Sequence, residues 1–307
     1  MSPAAKARFR RLRARAAHLL LRALAPPLGR LSLPAVQRAG RLVGRLGWWF
    51  GRRDRRRALE HVALAFPERS AEERRALARA AFLHQGMNLA EDLHLLSRGC
   101  DDVARYVEVE GWERVEALRA GRAEGAPGGG GRGVLIVTGH CGNWELLAAA
   151  INCRGLGMRV VARALDEPEL QDLLVAFRRR FGSATIERGR PGAARELLRA
   201  LREGALGMLI DQDTRVEGVW VPFFGRPAYT PVGAAKVALR PDVAAVPAFI
   251  ERRPDGTHLA RFLPPLDLPP DETAATALMT RAIEDQVRRR PEQWVWMHRR
   301  WRRRPPG

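Results

Sequence analysis

Apolar and polar positions follow two different periods along most of the chain beyond residue 100. Short apolar runs, rich in β-branched residues and bounded by Gly, Pro or charged residues, predict strands. They lie at 103–109, 134–138, 158–162, 184–187, 205–210, 243–250 and 258–263. Segments with a helical period separate them at 144–151, 168–181, 193–203 and 273–290. Strands that alternate with helices predict an α/β fold with a mostly parallel or mixed sheet, flanked by helices on both faces.

The first 100 residues are patterned for helices instead. Over residues 35–50, apolar residues from Val36 to Phe50 share one face of a helical wheel. The opposite face is basic and holds Arg38, Arg41 and Arg45. Ser70 and Glu73 form a capping box, which predicts a long helix that runs to about residue 97. Residues 19–33 are apolar but interrupted by Pro and Arg. The uncharged run is therefore shorter than the ~18 residues of a membrane span. The segment also lacks the apolar region and the small-residue cleavage site of a signal peptide.

The net charge of +19 is concentrated at the two ends of the chain. Residues 1–57 hold 16 Lys and Arg against one acid, and residues 288–307 hold eight Arg against one acid. Such basic ends indicate nucleic acid, anionic lipid or an acidic protein as a partner. Trp48 and Trp49 flank the basic face of the 35–50 helix, which favours an anionic membrane surface. An ordinary surface helix is the alternative. We expect residues 1–57 to be a basic membrane-associating helical segment and residues 58–307 to be the α/β domain.

The three cysteines, Cys100, Cys141 and Cys153, include no close CxxC pair. This spacing argues against a disulfide scaffold and against a zinc site, and it fits a reduced protein that faces the cytoplasm. The glycine run at 128–131 is followed by no Gly-Lys-Ser/Thr, so it is not a phosphate-binding P-loop. We expect neither a metal nor a cofactor.

The loop after the 134–138 strand carries the first candidate chemistry. His140 lies between the carboxyl end of a predicted strand and the start of a predicted helix, where open α/β sheets bind ligands. Glu145 follows five residues later and could hold one imidazole nitrogen. The other nitrogen could then take a proton from a hydroxyl, as in a catalytic triad without its serine. Alternatively, Glu145 only complements the helix dipole and His140 is an ordinary loop histidine.

Four more polar residues stand at predicted strand ends. They are Arg163, Arg188, Asp211 and Asp213, and one sheet edge would bring them near His140. Asp211-Gln-Asp213 alone could also be a pair of turn acids or a Mg²⁺ site. A stiff irregular loop at Phe223, Phe224 and Gly225 could wall an acyl or lipid pocket, or could be a turn anchored in the core.

Several of these motifs, taken in order, resemble one family. His140-Cys-Gly-Asn-Trp-Glu145 resembles the signature of the glycerolipid and lipid A acyltransferases, and its Gly-Asn-Trp is typical of the late lauroyl/myristoyl acyltransferases of lipid A biosynthesis. The resemblance extends over residues 35–304. The further motifs are Arg163 with 165–168, Asp211-Gln-Asp213, 221–230 and the ending 291–300. Cys141 departs from the larger residue that is common there, and His61 stands where the family often has Asn.

The resemblance implies a glycerol-3-phosphate acyltransferase-like fold and direct acyl transfer. His140 would be the general base and Glu145 its partner. Arg163, or backbone N–H groups at Gly142 and Asn143, would stabilise the oxyanion. The donor would be acyl-acyl carrier protein, and the acceptor a hydroxyl of a phosphorylated lipid A precursor, at the cytoplasmic face of the cell inner membrane.

Three rival hypotheses stay open. One is acylation of another lipid, such as a phosphatidylinositol mannoside or a lysophospholipid. Another is transfer through an acyl-cysteine at Cys141. The last is a non-catalytic basic protein that binds nucleic acid through its arginine-rich ends. This hypothesis does not explain why polar residues stand at the ends of several predicted strands. We therefore expect no nucleic-acid partner.

Overall fold

The computed structural model describes residues 3–120, 132–164 and 167–305. The helices are α1 Pro3–Arg30, α2 Leu33–Phe50, α3 Arg52–Ala65, α4 Ala71–Leu95, α5 Cys100–Tyr106, α6 Trp112–Ala120, α7 Trp144–Cys153, α8 Pro168–Arg180, α9 Ala193–Glu203, α10 Gly233–Ala238 and α11 Glu272–Arg289, followed by the 3₁₀ turn Pro291–Gln293. The strands are β1 Val107–Glu110, β2 Gly133–Thr138, β3 Met158–Ala162, β4 Ala184–Glu187, β5 Ala205–Leu209, β6 Gly218–Phe223, β7 Arg226–Pro231, β8 Val243–Arg252 and β9 His258–Phe262. The glycine run at 128–131 and the pair 165–166 of the expected motif lie outside the described residues.

Seven strands form one sheet in the order β1-β9-β8-β2-β5-β3-β4. All neighbours are parallel except β8 and β9, which pair antiparallel. The expected α/β class with a mostly parallel sheet is therefore confirmed. β2 lies in the middle, between β8 and β5, so the loop that carries His140 leaves the centre of the sheet.

Helices cover both faces of this sheet. Val134 and Ile136 of β2 pack into one buried cluster, whereas Leu135 and Val137 pack into the other. Since successive side chains of a strand point to opposite faces, a strand buried on both faces must be apolar at every position. This explains the uninterrupted apolar run at 134–138.

The N-terminal helices pack against α4. Gly44 of α2 and Gly86 of α4 meet so closely that a Cβ on either would collide with the backbone of the other helix. Trp48 is buried on the same side of α2. The helix thus packs through a narrow glycine-containing stripe. Leu42, Val43, Leu46, Trp49 and Phe50 remain exposed.

This packing corrects the expected apolar face of α2. Val36 and Gly40 face the protein, whereas Val43, Leu46 and Phe50 face outward beside the exposed arginines. The reason is that a helical wheel ranks positions by side-chain hydrophobicity. Here the packed face is set by glycines, which have no side chain and allow the two helix backbones to touch. No helix among the described residues is long and apolar enough to cross a membrane.

Three local expectations were wrong. Residues 100–106 form helix α5, and only Val107–Glu110 is a strand; acids in the first turn favour a helix start there. Residues 218–231 form the hairpin β6–β7 and not an irregular loop.

Cys100 and Cys153 are joined by a disulfide with their Cα atoms 5.3 Å apart, across α5 and α7. The expectation of three free thiols is thus corrected, because sequence spacing does not reveal that two distant helix ends meet.

Candidate active site

His140 is held by a carboxylate, but the carboxylate comes from Asp211. Nδ1 of His140 lies 2.7 Å from Oδ1 of Asp211. The backbone N–H of His140 donates to Oδ2 of the same carboxylate, also at 2.7 Å. Asp211 follows β5, the parallel neighbour of β2, so the two residues leave adjacent strands at the same edge of the sheet. The imidazole therefore has a fixed position and a fixed partner.

The Asp211 carboxylate is buried yet ionised. Its Oδ2 accepts a third hydrogen bond, from Nε1 of Trp294 at 2.7 Å. Burial by itself would raise the pKa of Asp211, but His140 and these hydrogen bonds outweigh it and hold the pKa below its ordinary value. A carboxylate that accepts from Nδ1 keeps the proton on that nitrogen and leaves the lone pair on Nε2. The His140 side chain is 21% exposed, so this ring can be approached from outside.

Glu145 does not contact His140, which corrects the expected dyad geometry. Its two oxygens accept from Nε and Nη2 of Arg178 on α8, at 2.9 and 2.6 Å. Arg178 also donates to Oγ1 of Thr185 on β4, at 3.0 Å. Both members of the ion pair are buried. A buried arginine without its carboxylate would be costly, so Glu145 ties α7 to α8.

The loop between His140 and α7 is shaped by Gly142. Its φ of +60° lies in the left-handed region, and a Cβ there would collide with the carbonyl of Ile250. The N–H of Gly142 donates to the carbonyl of Gln293 at 2.8 Å. Asn143 caps α7, because its Oδ1 accepts from the backbone N–H of Leu146 at 3.0 Å. The Gly142 N–H is thus already engaged, which argues against its expected role in oxyanion binding. The expected role of the Asn143 backbone N–H stays a prediction.

A buried ionic network supports the same loop from α4. Arg252 donates from Nε and Nη2 to the two oxygens of Glu91, at 2.9 and 2.7 Å. Oε2 of Glu91 also accepts from Nδ2 of Asn143 at 3.1 Å. Asn88 accepts from Arg252 and donates to the carbonyl of Gly142, at 2.7 and 2.6 Å. Burial would raise the pKa of Glu91, but the charge of Arg252 outweighs it and keeps the pKa well below its ordinary value. The loop therefore has little freedom to move.

The two predicted strand-end arginines lie beside this edge. β3 and β4 follow β5 in the sheet, so Arg163 and Arg188 emerge next to the loop that begins with Asp211. Partial burial and the charge of Arg163 lower the pKa of Arg188. Nη1 of Arg188 donates to Oγ1 of Thr214 at 3.4 Å. The structure thus joins His140 to Asp211 and places Arg163 and Arg188 farther along the same edge of the sheet.

Asp213 has a different role from Asp211. Its carboxylate is buried and pairs with Arg302 and Arg303, at 3.1 and 3.3 Å. It therefore fastens the C-terminal segment to the β5 loop. Across the described parts of the chain, no cluster of three or more His, Cys, Asp or Glu side chains is suited to hold a metal ion.

The two phenylalanines of the hairpin, Phe223 and Phe224, are buried in the core, whereas Gly225 is exposed. Phe224 and Gly225 both have positive φ, 53° and 68°, as the tight turn of a two-residue hairpin loop requires. Phe223 is fully buried, and its ring lies 5.5 Å from that of Trp294. The backbone N–H of Phe224 donates to Glu284 at 2.6 Å. The alternative of a core-anchored turn describes this segment better than the acyl pocket.

The C-terminal segment is a part of the site that the sequence pattern missed. Trp294 and Trp296 are buried. Arg300 is also buried and donates to Tyr229 and Thr230 at 2.8 and 2.6 Å. Burial lowers the pKa of His298 to about 4, against the opposing charge of Asp211. The available signal was the low polarity of the Trp-Val-Trp-Met run, which is typical of a core segment.

Cys141 is buried and is not part of the disulfide. Burial, together with the charge of Asp211, raises the pKa of the Cys141 thiol well above its ordinary value. A thiol must lose its proton to act as a nucleophile. This environment therefore argues against an acyl-cysteine.

Comparison with known proteins identifies relatives of the whole chain. The family model of bacterial lipid A biosynthesis acyltransferases matches residues 15–303. The lipid A biosynthesis lauroyltransferase of Escherichia coli (strain K12) is 30% identical over 283 residues, which cover 90% of this chain and 88% of that protein. The myristoyltransferase of the same strain is 28% identical over 292 residues, with 93% and 84% covered. A phosphatidylinositol mannoside acyltransferase of Mycolicibacterium smegmatis is 25% identical over 177 residues, 56% of this chain and 57% of that protein.

Proposed function

The chain belongs to the bacterial lipid A biosynthesis acyltransferase family and is an acyltransferase, and from this premise we propose that it acylates a hydroxyl of a lipid A precursor with His140 as general base. The observation that carries the proposal is the hydrogen-bonded chain from Trp294 through Asp211 to Nδ1 of His140. Such an arrangement orients an imidazole and leaves Nε2 to accept a proton.

The chemical step transfers an acyl group directly from a thioester to the acceptor oxygen. Nε2 of His140 takes the hydroxyl proton while that oxygen forms a bond to the thioester carbonyl carbon. The tetrahedral intermediate then collapses, the carbon–sulfur bond breaks, and the protonated imidazole returns its proton to the leaving thiolate. Asp211 stabilises the imidazolium between the two proton transfers. The buried, protonated state of Cys141 supports direct transfer over an acyl-cysteine.

Arg163 and Arg188 are the candidates to stabilise the oxyanion. They emerge from β3 and β4 at the same sheet edge as His140, and their charges are close enough to affect one another. A positive charge fixed where negative charge develops stabilises the transition state more than the ground state. The Gly142 N–H is engaged within the fold and is not proposed as a donor, whereas the backbone N–H of Asn143 stays a further candidate. Glu145 supports the site indirectly, by holding α7 on α8 through Arg178.

The proposed donor is acyl-acyl carrier protein, and the proposed place of work is the cytoplasmic face of the cell inner membrane. Two features support this setting. The exposed side of α2 carries Leu46, Trp49 and Phe50 next to Arg38, Arg41 and Arg45, a combination that suits an anionic lipid surface. The chain is also strongly basic, whereas carrier proteins and lipid phosphates are acidic. Residues 1–57 would form this membrane-associating segment, and residues 58–307 the catalytic domain with a glycerol-3-phosphate acyltransferase-like fold.

Acylation of another glycolipid is the second candidate. The partial match to a phosphatidylinositol mannoside acyltransferase supports it, over little more than half of either chain. The test is to incubate the purified protein with acyl-carrier-protein or CoA thioesters, and to read the products by mass spectrometry. The acceptors would be a hypoacylated lipid A precursor and a phosphatidylinositol mannoside. A mass increase of one acyl chain on the lipid A precursor alone supports the first proposal, and an increase on the mannoside alone would replace it with the second.

A further inference from the structure

A cationic pocket of about 290 Å³ lies between α3 and the C-terminal segment. Five arginines line it, three from one helix and two from residues almost 250 positions later: Arg53, Arg56, Arg57, Arg299 and Arg302. These are the two basic ends that the charge distribution singles out, and the fold brings them together in one concave site. We term it the α3 pocket.

The positive charge of the α3 pocket exceeds the negative charge around it. Arg56 pairs with Glu60 at 3.5 Å, Arg57 with Asp54 at 3.2 Å, and Arg302 with Asp213 at 3.1 Å. Neither Arg53 nor Arg299 has a carboxylate within ion-pair distance among the residues that the structure describes. Like charges confined in one pocket repel each other, so a bound anion would stabilise this arrangement.

Part of the pocket is already fixed in position. Nη1 of Arg57 donates to the carbonyl of Met297 at 2.9 Å. Nδ1 of His61 donates to the carbonyl of Trp296 at 3.1 Å, and its ring meets that of Trp301 edge to face at 5.3 Å. Because α3 is anchored to the C-terminal segment, the guanidinium groups need little reorganisation to bind a ligand.

Three aromatic rings in contact lie between the pocket and the candidate active site. Trp301 lies 5.8 Å from Phe223, and Phe223 lies 5.5 Å from Trp294, measured between ring centroids. Trp294 in turn donates to Asp211, the partner of His140. Arg302, which lines the pocket, also pairs with Asp213 of the loop that carries Asp211, whereas His140 is not among the lining residues.

We propose that the α3 pocket binds a phosphate ester group of the glycolipid acceptor, an inference that rests on the proposed function. Guanidinium groups form paired hydrogen bonds with phosphate oxygens. A phosphate monoester offers three acceptor oxygens and a charge of up to about −2, so it can engage several arginines at once, more than a single carboxylate can. The volume is at the lower limit of small-ligand pockets, so it suits a headgroup and not the flat surface of a carrier protein. The pocket also begins directly after Phe50 of α2, across Gly51 and Arg52, at the end of the exposed apolar side that would face lipid.

The test compares two double variants that lose the same charge. Arg53→Gln with Arg299→Gln removes the two pocket arginines that lack an ion-pair partner within the described chain. Arg79→Gln with Arg195→Gln removes two exposed arginines elsewhere. Each protein is assayed at full length with a hypoacylated lipid A precursor and with the same precursor after phosphatase treatment. Inorganic phosphate is then titrated as a competitor, which separates a free-phosphate site from a lipid-phosphate site.

The pocket variant should lose about 10- to 100-fold in kcat/KM for the phosphorylated acceptor, mainly through KM, and little for the dephosphorylated acceptor. The control variant should behave as the wild type with both. A KM increase confined to the thioester donor would assign the pocket to the carrier protein and overturn the proposal. Equal losses with both acceptors, or competition by inorganic phosphate without any acceptor dependence, would also overturn it. If the wild type acylates neither acceptor, the proposed function itself fails.

Discussion

Nδ1 of His140 lies 2.7 Å from Oδ1 of Asp211, a residue 71 positions later in the chain. The contact exists because β2 and β5 are parallel neighbours and end at the same edge of the sheet. Trp294 fixes the same carboxylate from a third segment, at 2.7 Å. Three distant stretches of sequence thus define one imidazole orientation.

Replacing Asp211 with Asn should lower kcat without unfolding the protein. An amide cannot hold Nδ1–H and stabilise the imidazolium as a carboxylate does, so a loss of about 10²–10⁴-fold is expected. Steady-state kinetics measure this loss, and circular dichroism checks the fold. Asp267→Asn makes the same chemical change at an exposed position and should have no effect. A variant of Asp211 with an unchanged kcat would show that the imidazole needs no carboxylate.

Replacing Glu145 should act first on stability. Glu145→Ala leaves Arg178 buried without its carboxylate, which costs about 3–5 kcal/mol of unfolding free energy. Denaturant titration measures this cost. The double variant Glu145→Ala, Arg178→Met should regain part of it, because the unpaired charge is then gone. If Glu145→Ala kept full stability but abolished turnover, Glu145 would act directly in the proton transfer and the structural role would be wrong.

The exposed side of α2 should bind anionic membranes. Changing Leu46, Trp49 and Phe50 to Ser removes three exposed apolar side chains and should weaken binding to anionic vesicles by about tenfold or more. Cosedimentation with vesicles measures the binding. Leu89, Leu198 and Leu278 are exposed elsewhere, and their triple change to Ser is the control. Charge reversal at Arg38, Arg41 and Arg45 should weaken binding most at low salt. Equal binding by both triple variants would place the membrane contact on another surface.

His298 should make folding stability depend on pH below neutrality. Burial lowers its pKa from 6.5 to about 4. Between these two pH values the imidazole is protonated in the unfolded chain but neutral in the folded chain. Its contribution to stability is therefore complete above pH ~6.5 and is lost as the pH falls towards ~4, on the order of 1–3 kcal/mol. His298→Gln should flatten the unfolding free energy between these limits, as measured by denaturant titration at several pH values. Parallel curves for the two proteins would contradict this burial of the imidazole.

The sequence predicts the sheet better than it predicts the contacts at its edge. The apolar runs locate β2, β3, β4 and β5. In β2 every residue is buried, because a strand covered on both faces excludes polar side chains. The edge strand β4 is more exposed and is marked by its β-branched residues Thr185 and Ile186. Since all four strands are parallel, their carboxyl ends lie along the same edge of the sheet. The pattern fails at residues 100–106, where acids at a helix start outweigh a short apolar run.

The partner of His140 could not be read from spacing. Glu145 is near in sequence, but its side chain lies on the face of α7 that meets Arg178, a contact that depends on how α8 packs. The contacts of Trp294 with Phe223 and Asp211 could not be predicted from spacing either, because they depend on where the C-terminal segment packs. Composition and periodicity describe one element at a time, whereas these contacts join elements that are far apart in the chain.

The most direct test of the account is the turnover number of His140→Ala with an acyl thioester and a hypoacylated lipid A precursor, with acylated product quantified by mass spectrometry. We expect kcat to fall by at least about 10²–10⁴-fold, because the variant lacks the proposed base for the hydroxyl proton. The unfolding transition and the vesicle binding should stay near those of the wild type, since the His140 ring is partly exposed and lies outside α2. A kcat within a few-fold of the wild type, in a folded and membrane-bound variant, would contradict the central claim that His140 is the base.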